Sequence, residues 1–173
     1  ELSDPPKRPF APIEKQVRRM LSDLSMPAAT FTIMMTGAKM GDSGTDEVSF
    51  MFSANKGSIP QELHRVASGG ELSRLMLCLK SLLAEKKGLP AIIFDEIDTG
   101  VSGEVAARIG DILHRMSAHM QVITITHLPQ MASRGNHHLF VYKQEERKRT
   151  ISHIRVLDAQ ERVQEIAKML SAG

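Results

Sequence analysis

Two short apolar runs constrain this chain more than any other feature. "AIIFDE" (Ala91–Glu96) and "QVITIT" (Gln121–Thr126) are continuous rather than alternating, the pattern of strands buried on both faces. Each follows a segment with helical spacing. Leu72, Leu75, Met76, Leu79, Leu82 and Leu83 keep that spacing until Gly88 and Pro90 break it, and Val105, Ile109, Ile112, Leu113 and Met116 repeat it. Helix–strand–helix–strand in this order predicts an α/β fold with a parallel sheet flanked by helices.

Alternating stretches predict antiparallel hairpins at the edges of that sheet. Phe31, Ile33 and Met35 share one face of "ATFTIMM" (Ala29–Met35), and Val48, Phe50 and Phe52 share one face of "EVSFMFS" (Glu47–Ser53). The Gly- and Asp-rich residues 36–46 between them read as a hairpin loop, and residues 53–66 as a further loop. "HLFVYK" (His138–Lys143) and "TISHIRVL" (Thr150–Leu157) flank a charged turn and predict a second hairpin. Ile13, Val17, Met20, Leu21 and Leu24 predict a helix near the start, and Val163, Ile166, Ala167 and Leu170 one at the end. Pro5, Pro6, Pro9 and Pro12 exclude a continuous helix over residues 1–12.

A length of 173 residues predicts one domain with a single core. No 18 apolar residues run together, so no membrane partner is expected. No charged segment followed by an apolar one opens the chain, and a cytoplasmic address is the expectation. The formal net charge of +2 is too small to predict nucleic-acid binding by itself. The single cysteine, Cys78, lies in an apolar helical run and reads as a buried small hydrophobe. The first residue is Glu1 rather than methionine, which suggests a piece of a longer chain.

Three segments carry chemistry. In "ASGGELSR" (Ala67–Arg74) two glycines allow close backbone approach, and Ser68 can cap the following helix while its first amides face an anion. A plain capped helix after a glycine turn explains the same residues. In "IIFDEIDTGVSG" (Ile92–Gly103) Asp95 and Glu96 stand at the C-terminal edge of a parallel strand, where open α/β folds bind ligands. Asp95 can hold Mg²⁺ through water, and Glu96 can orient or deprotonate an attacking water. Acidic residues also cap helices, but Thr99, Ser102 and Gly103 are better placed to cap the next one. In "ITITHLPQM" (Ile123–Met131) a strand delivers His127 at its end, within reach of a γ-phosphate.

A Ser-Gly-Gly helix start, then a strand with Asp-Glu, then a strand with His is the order found in ABC-type ATPases. "ASGGELSR" resembles the ABC signature, "IIFDEID" resembles Walker B with its D-loop, and "ITITH" resembles the switch histidine. "FDEIDTGVSG" and "THLPQMA", with "FSANKG" and "EIAKMLSAG", resemble the RecN family of SMC-like, bacterial DNA double-strand-break repair and recombination proteins. The likeness covers roughly residues 13–173, with residues 1–12 a proline-rich segment near a coiled-coil junction. It implies the C-terminal lobe of a P-loop NTPase-like head that uses ATP and Mg²⁺. Ser68, Gly69, Gly70 and Glu71 would then contact ATP held by a second head. Asp95 would support Mg²⁺, Glu96 would be the catalytic base, Asp98 would lie in the D-loop across the dimer seam, and His127 would contact the γ-phosphate. The partners implied are the N-terminal half of the same head, a second head in a homodimer, and DNA through the assembled, nucleoid-associated protein.

One departure is plain. A complete nucleotide site needs GxxxxGK[ST], and none of the 12 glycines is followed by lysine. Without that Walker A cradle the chain alone is expected to bind ATP weakly, hydrolyse little, and leave apolar surface uncovered. Two other readings stay open: a non-catalytic interaction or regulatory module with an ABC half-fold, and a head fragment of another SMC-like ATPase.

Overall fold

A computed structural model describes residues 10–41, 44–66, 68–95, 97–101, 103–146 and 149–171. Where the length predicted one core, the chain divides into two compact units, Glu1–Leu89 and Pro90–Gly173.

The first unit opens with helix α1 (Ala11–Asp23). It starts two residues before the predicted Ile13, because Pro12 falls in the first turn, where its missing N–H costs nothing. Pro5, Pro6 and Pro9 lie outside the described residues. Val17, Leu21 and Leu24 are fully buried, whereas Ile13 is largely exposed. The buried face instead takes in Glu14, whose carboxylate accepts the Ile33 N–H at 2.8 Å. That bond stitches the helix to strand β1 (Thr30–Gly41).

β1 pairs antiparallel with β2 (Gly44–Ser53). The predicted faces meet across the ladder: Phe31 opposite Phe52, Ile33 opposite Phe50, Met35 opposite Val48. Phe31 and Phe52 sit in the core, and burial fades toward Met35 and Val48. The Phe31 and Phe50 rings stack at 6.0 Å. Most of the predicted hairpin loop is strand instead. Pairing continues to Gly37 opposite Asp46, slips, and resumes at Gly41 opposite Gly44, the local irregularity that strand glycines permit. The predicted loop over residues 53–66 likewise contains a short strand β3 (Gln61–Glu62) against β2 and a single 3-10 turn, Leu63–Arg65.

Helix α2 (Gly69–Lys87) ends at Gly88, whose φ of 59° is the left-handed stop that lets the Leu89 N–H reach the Ala84 carbonyl. The fully covered residues of α2 are Leu75, Leu77, Cys78, Ser81 and Ala84, with Leu83 exposed, so the buried face is turned from the predicted stripe. A helix apolar on several sides does not announce its buried face by spacing. Cys78 is fully buried, as expected.

In the second unit β4 (Ala91–Phe94) pairs parallel with β5 (Gln121–Thr124), through α3 (Gly103–Met116). Ala106, Ile109, Gly110, Ile112 and Leu113 form the buried face of α3. A short helix, α4 (Pro129–Ala132), follows β5. The hairpin β6 (Leu139–Glu146) and β7 (Arg149–Val156) is antiparallel, as predicted. Helix α5 (Ala159–Ser171) closes the unit behind a reciprocal cap: the Glu161 N–H donates to Asp158 and the Asp158 N–H to Glu161.

Three expectations for this unit are corrected. The parallel strands are not buried on both faces: Ile93 is 60% exposed and Ile125 57%. Among the described residues the β6–β7 hairpin forms a two-stranded sheet of its own rather than an edge of the parallel pair, because strands joined by a short turn satisfy each other locally. The predicted stripe of α5 is uncovered, with Val163 and Leu170 exposed.

Candidate functional site

The parallel register sets β4 and β5 level, from Ala91 opposite Gln121 to Phe94 opposite Thr124. Pairing runs one bond further, with the Ile125 N–H donating to the Phe94 carbonyl at 2.9 Å. Both strands therefore release their chains at the same sheet edge, where Asp95 follows one strand and Thr126 and His127 follow the other. Asp95 is exposed. Glu96 lies outside the described residues, as do Ala67 and Ser102.

Asp98 turns inward. It is 4% exposed, and its Oδ2 accepts the Thr126 hydroxyl at 2.6 Å and the His127 N–H at 3.1 Å. The same oxygen stands 3.2 Å from Nδ1 of His127. The Thr126 hydroxyl in turn accepts the Leu128 N–H at 3.0 Å. A buried carboxylate is tolerated only with donors around it, and this one has them. The His127 side chain is 77% exposed, with Nδ1 near the carboxylate and the rest of the ring open. The resemblance implied a place for Asp98 in a D-loop across a dimer seam; within the chain its carboxylate accepts from Thr126 and His127. Thr126 was missed, and the only signal was a hydroxyl residue immediately before the histidine.

The turn after His127 is anchored from behind. A side chain at Gly110 of α3 would meet Arg134 Cγ at 2.9 Å and the Met131 backbone at 3.4 Å. Arg134 pairs with Asp111 at 3.0 Å. α4 is thus held close to α3, and Met131 is buried.

Ser68, Gly69, Gly70 and Glu71 belong to the first unit. Ser68 takes the N-cap position with extended backbone (φ −87°, ψ 111°), and its carbonyl accepts the Leu72 N–H at 3.0 Å. Its hydroxyl makes no capping bond, contrary to expectation. The first amides of α2 are left without a side-chain cap, at the positive end of a 19-residue helix. A Cβ on Gly69 would meet nothing within 4 Å. Packing among the described residues does not require glycine there.

Among the described residues no three His, Cys, Asp or Glu side chains gather as a metal site. Asp95 alone fits the sparse protein ligation of Mg²⁺, which is usually completed by water and substrate phosphates. No described helix is long and apolar enough to cross a membrane.

No family model matches the chain. Curated relatives do. It is 42% identical over 160 residues to the DNA repair protein RecN of Rickettsia bellii, covering 92% of this chain and 29% of that protein. It is 39% identical over 163 residues to RecN of Vibrio cholerae (93% and 29%), and 39% identical over 168 residues to RecN of Deinococcus radiodurans (96% and 29%). The chain thus spans under a third of the length of these relatives, in their C-terminal portion. Among solved structures, an Smc head domain with a coiled coil and joint from Pyrococcus yayanosii superposes with TM-score 0.72 at 19% identity, covering 92% of this chain and 29% of that one. A chain solved in work on ATP-driven dimerization and DNA-stimulated activation of SMC ATPases superposes with TM-score 0.63 at 18% identity, covering 94% of each. The fold is that of an SMC-type ATPase head.

Proposed function

From the premise that this chain belongs with the RecN family over the C-terminal portion it shares with its relatives, we propose that it is the C-terminal half of an ABC-type ATPase head serving DNA double-strand-break repair. The observation that carries this reading is the shared sheet edge, where parallel strands end on Asp95 and on an outward-facing His127. His127 would contact a γ-phosphate there, and Asp95 would hold Mg²⁺ through water. When bound, Mg²⁺ supplies charge neutralisation of the phosphates. Glu96 would orient or deprotonate the attacking water. Ser68, Gly69 and Gly70 would offer uncapped helix amides to ATP held by a second head, with Glu71 beside them.

The missing GxxxxGK[ST] cradle would come from the N-terminal half of the same head, so residues 13–173 form a half-head that is inactive alone. DNA would be engaged by the assembled protein, in the cytoplasm at the nucleoid. Exposed Ile93, Ile123 and Ile125 support an absent covering partner, because parallel strands are ordinarily covered on both faces.

The test is ATP turnover by this chain mixed with the matching N-terminal half, for wild type and Glu96→Gln. Turnover only in the mixture, abolished by the substitution, is the expected result. A folded, associated mixture without turnover would favour a non-catalytic interaction module, the reading to which the missing cradle also points.

A further inference from the structure

Helix α4 has only four residues, and a helix of about one turn does not hold itself. Its direction is set by what grips its ends. At the front the Leu128 N–H donates to the Thr126 hydroxyl at 3.0 Å. A run of backbone bonds then leads away from the histidine: the Ala132 N–H donates to the Leu128 carbonyl at 3.0 Å, and the Gly135 N–H to the Ala132 carbonyl at 3.0 Å. The run ends on another helix. Arg162 of α5 donates through Nη1 to the Asn136 carbonyl at 2.7 Å and through Nη2 to the Gly135 carbonyl at 2.5 Å.

Arg162 closes the first turn of α5, its N–H donating to the Asp158 carbonyl at 3.0 Å. A cation there opposes the helix macrodipole, so α5 by itself gives no reason for an arginine at this position. Its guanidinium spans two successive carbonyls, a grip that a planar fork can make and a lysine ammonium cannot. The gripped turn is tight: a Cβ on Gly135 would stand 3.3 Å from the Ala132 carbonyl oxygen and 3.3 Å from Nε2 of His138. We propose that Arg162 is a positioning residue: from α5 it clamps the turn behind α4 and so fixes the segment that presents His127. Releasing the fork lets α4 swing about its remaining tether at Thr126. The clamp stands on the chain alone; its consequence for turnover rests on the ATPase reading.

The first measurement is amide hydrogen exchange, residue by residue, on the chain carrying Arg162→Ala or Arg162→Lys. Exchange should quicken at Leu128, Ala132 and Gly135 in both variants, while the amides of α3, β4 and β5 keep their wild-type protection. Lysine keeps the charge and loses the fork, so full protection in Arg162→Lys overturns the proposal. Faster exchange throughout residues 90–173, or at none of the three amides, overturns it equally. If Arg162→Ala does not fold, Arg162→Lys carries the test alone. The second measurement is turnover in the assembled head. Arg162→Ala should lower kcat by up to about 100-fold, as expected for a group misplaced from a distance, with KM for ATP little changed. Guanidinium ion at low concentration should restore part of that loss in Arg162→Ala and leave the wild type as it was. A loss without rescue would assign Arg162 to the stability of the unit, against the proposal, and so would a rise in KM that accounts for the whole effect. The local exchange pattern together with a wild-type assembly that does not turn over ATP would uphold the clamp and sink the ATPase reading instead.

Discussion

The antiparallel pair β1–β2 and the parallel pair β4–β5 cover their apolar side chains differently. In the antiparallel pair the root closes on the core, with Phe31 and Phe52 out of solvent and α1 fastened to it through Glu14. In the parallel pair Phe94 is buried while Ile93, Ile123 and Ile125 face outward. An antiparallel pair can leave one face wet; a parallel pair ordinarily cannot. The first is finished by its own sequence neighbours, and the second is not. The second unit repeats the lesson in β6 and β7, where Leu139, Val141, Ile154 and Val156 share an exposed face, and in the bare stripe of α5.

The largest test of that contrast is Phe31→Ala, which should cost about 3–5 kcal/mol through the cavity it leaves. Cys78 offers a readout confined to the first unit, since burial pushes its thiol up to about 12. Alkylation at neutral pH should be very slow in the native chain and accelerate strongly in Phe31→Ala. Equal alkylation rates in both proteins would break the comparison. Next in size is association: replacing Ile93 and Ile125 with Lys should reduce self-association of the isolated chain in sedimentation velocity. The same pair should impair assembly with the N-terminal half, and unimpaired assembly would mean that this surface is not the seam.

A smaller effect sharpens the comparison from within the second unit. Asp158→Ala removes the reciprocal cap of α5 and should cost about 1 kcal/mol in urea unfolding. Acid should act in the same unit through His138, whose basicity is lowered by burial and then by Arg162 nearby, while its Nε2 donates to the Ala132 carbonyl at 2.8 Å. The fold favours the neutral ring, so its contribution is complete above 6.5 and drains away as pH falls below that value. His138→Gln should flatten that part of the pH–stability curve. Smallest of all, Ile93→Ala should change the stability of the isolated chain by less than about 0.5 kcal/mol, being exposed.

Most elements were legible because period and breakers agreed, as in α3, β4, β5 and the β6–β7 hairpin. Two kinds of feature were not. Composition hid the outer halves of β1 and β2, whose glycines and aspartate read as loop although backbone pairing carries on without burial. Spacing found the buried Val17, Leu21 and Leu24 of α1 but not Glu14, and it hid the working face of α2, where a leucine-rich helix offers several plausible stripes. At the candidate site the places of Asp95 and His127 were legible because strand ends are conspicuous. The Asp98–Thr126 link joins residues far apart in sequence, and no local pattern encodes it.

Gly110 carries a last implication for anyone mapping this protein by mutation. It bears no functional group and belongs to none of the motifs, but α3 and α4 approach too closely there for a side chain. A bulky replacement would push Arg134 off Asp111 and tilt the short helix from which the histidine turn hangs. A functional screen would score position 110 as though it belonged to the candidate site. Sensitivity to substitution in this chain is thus a map of what holds the histidine still as much as of what it touches.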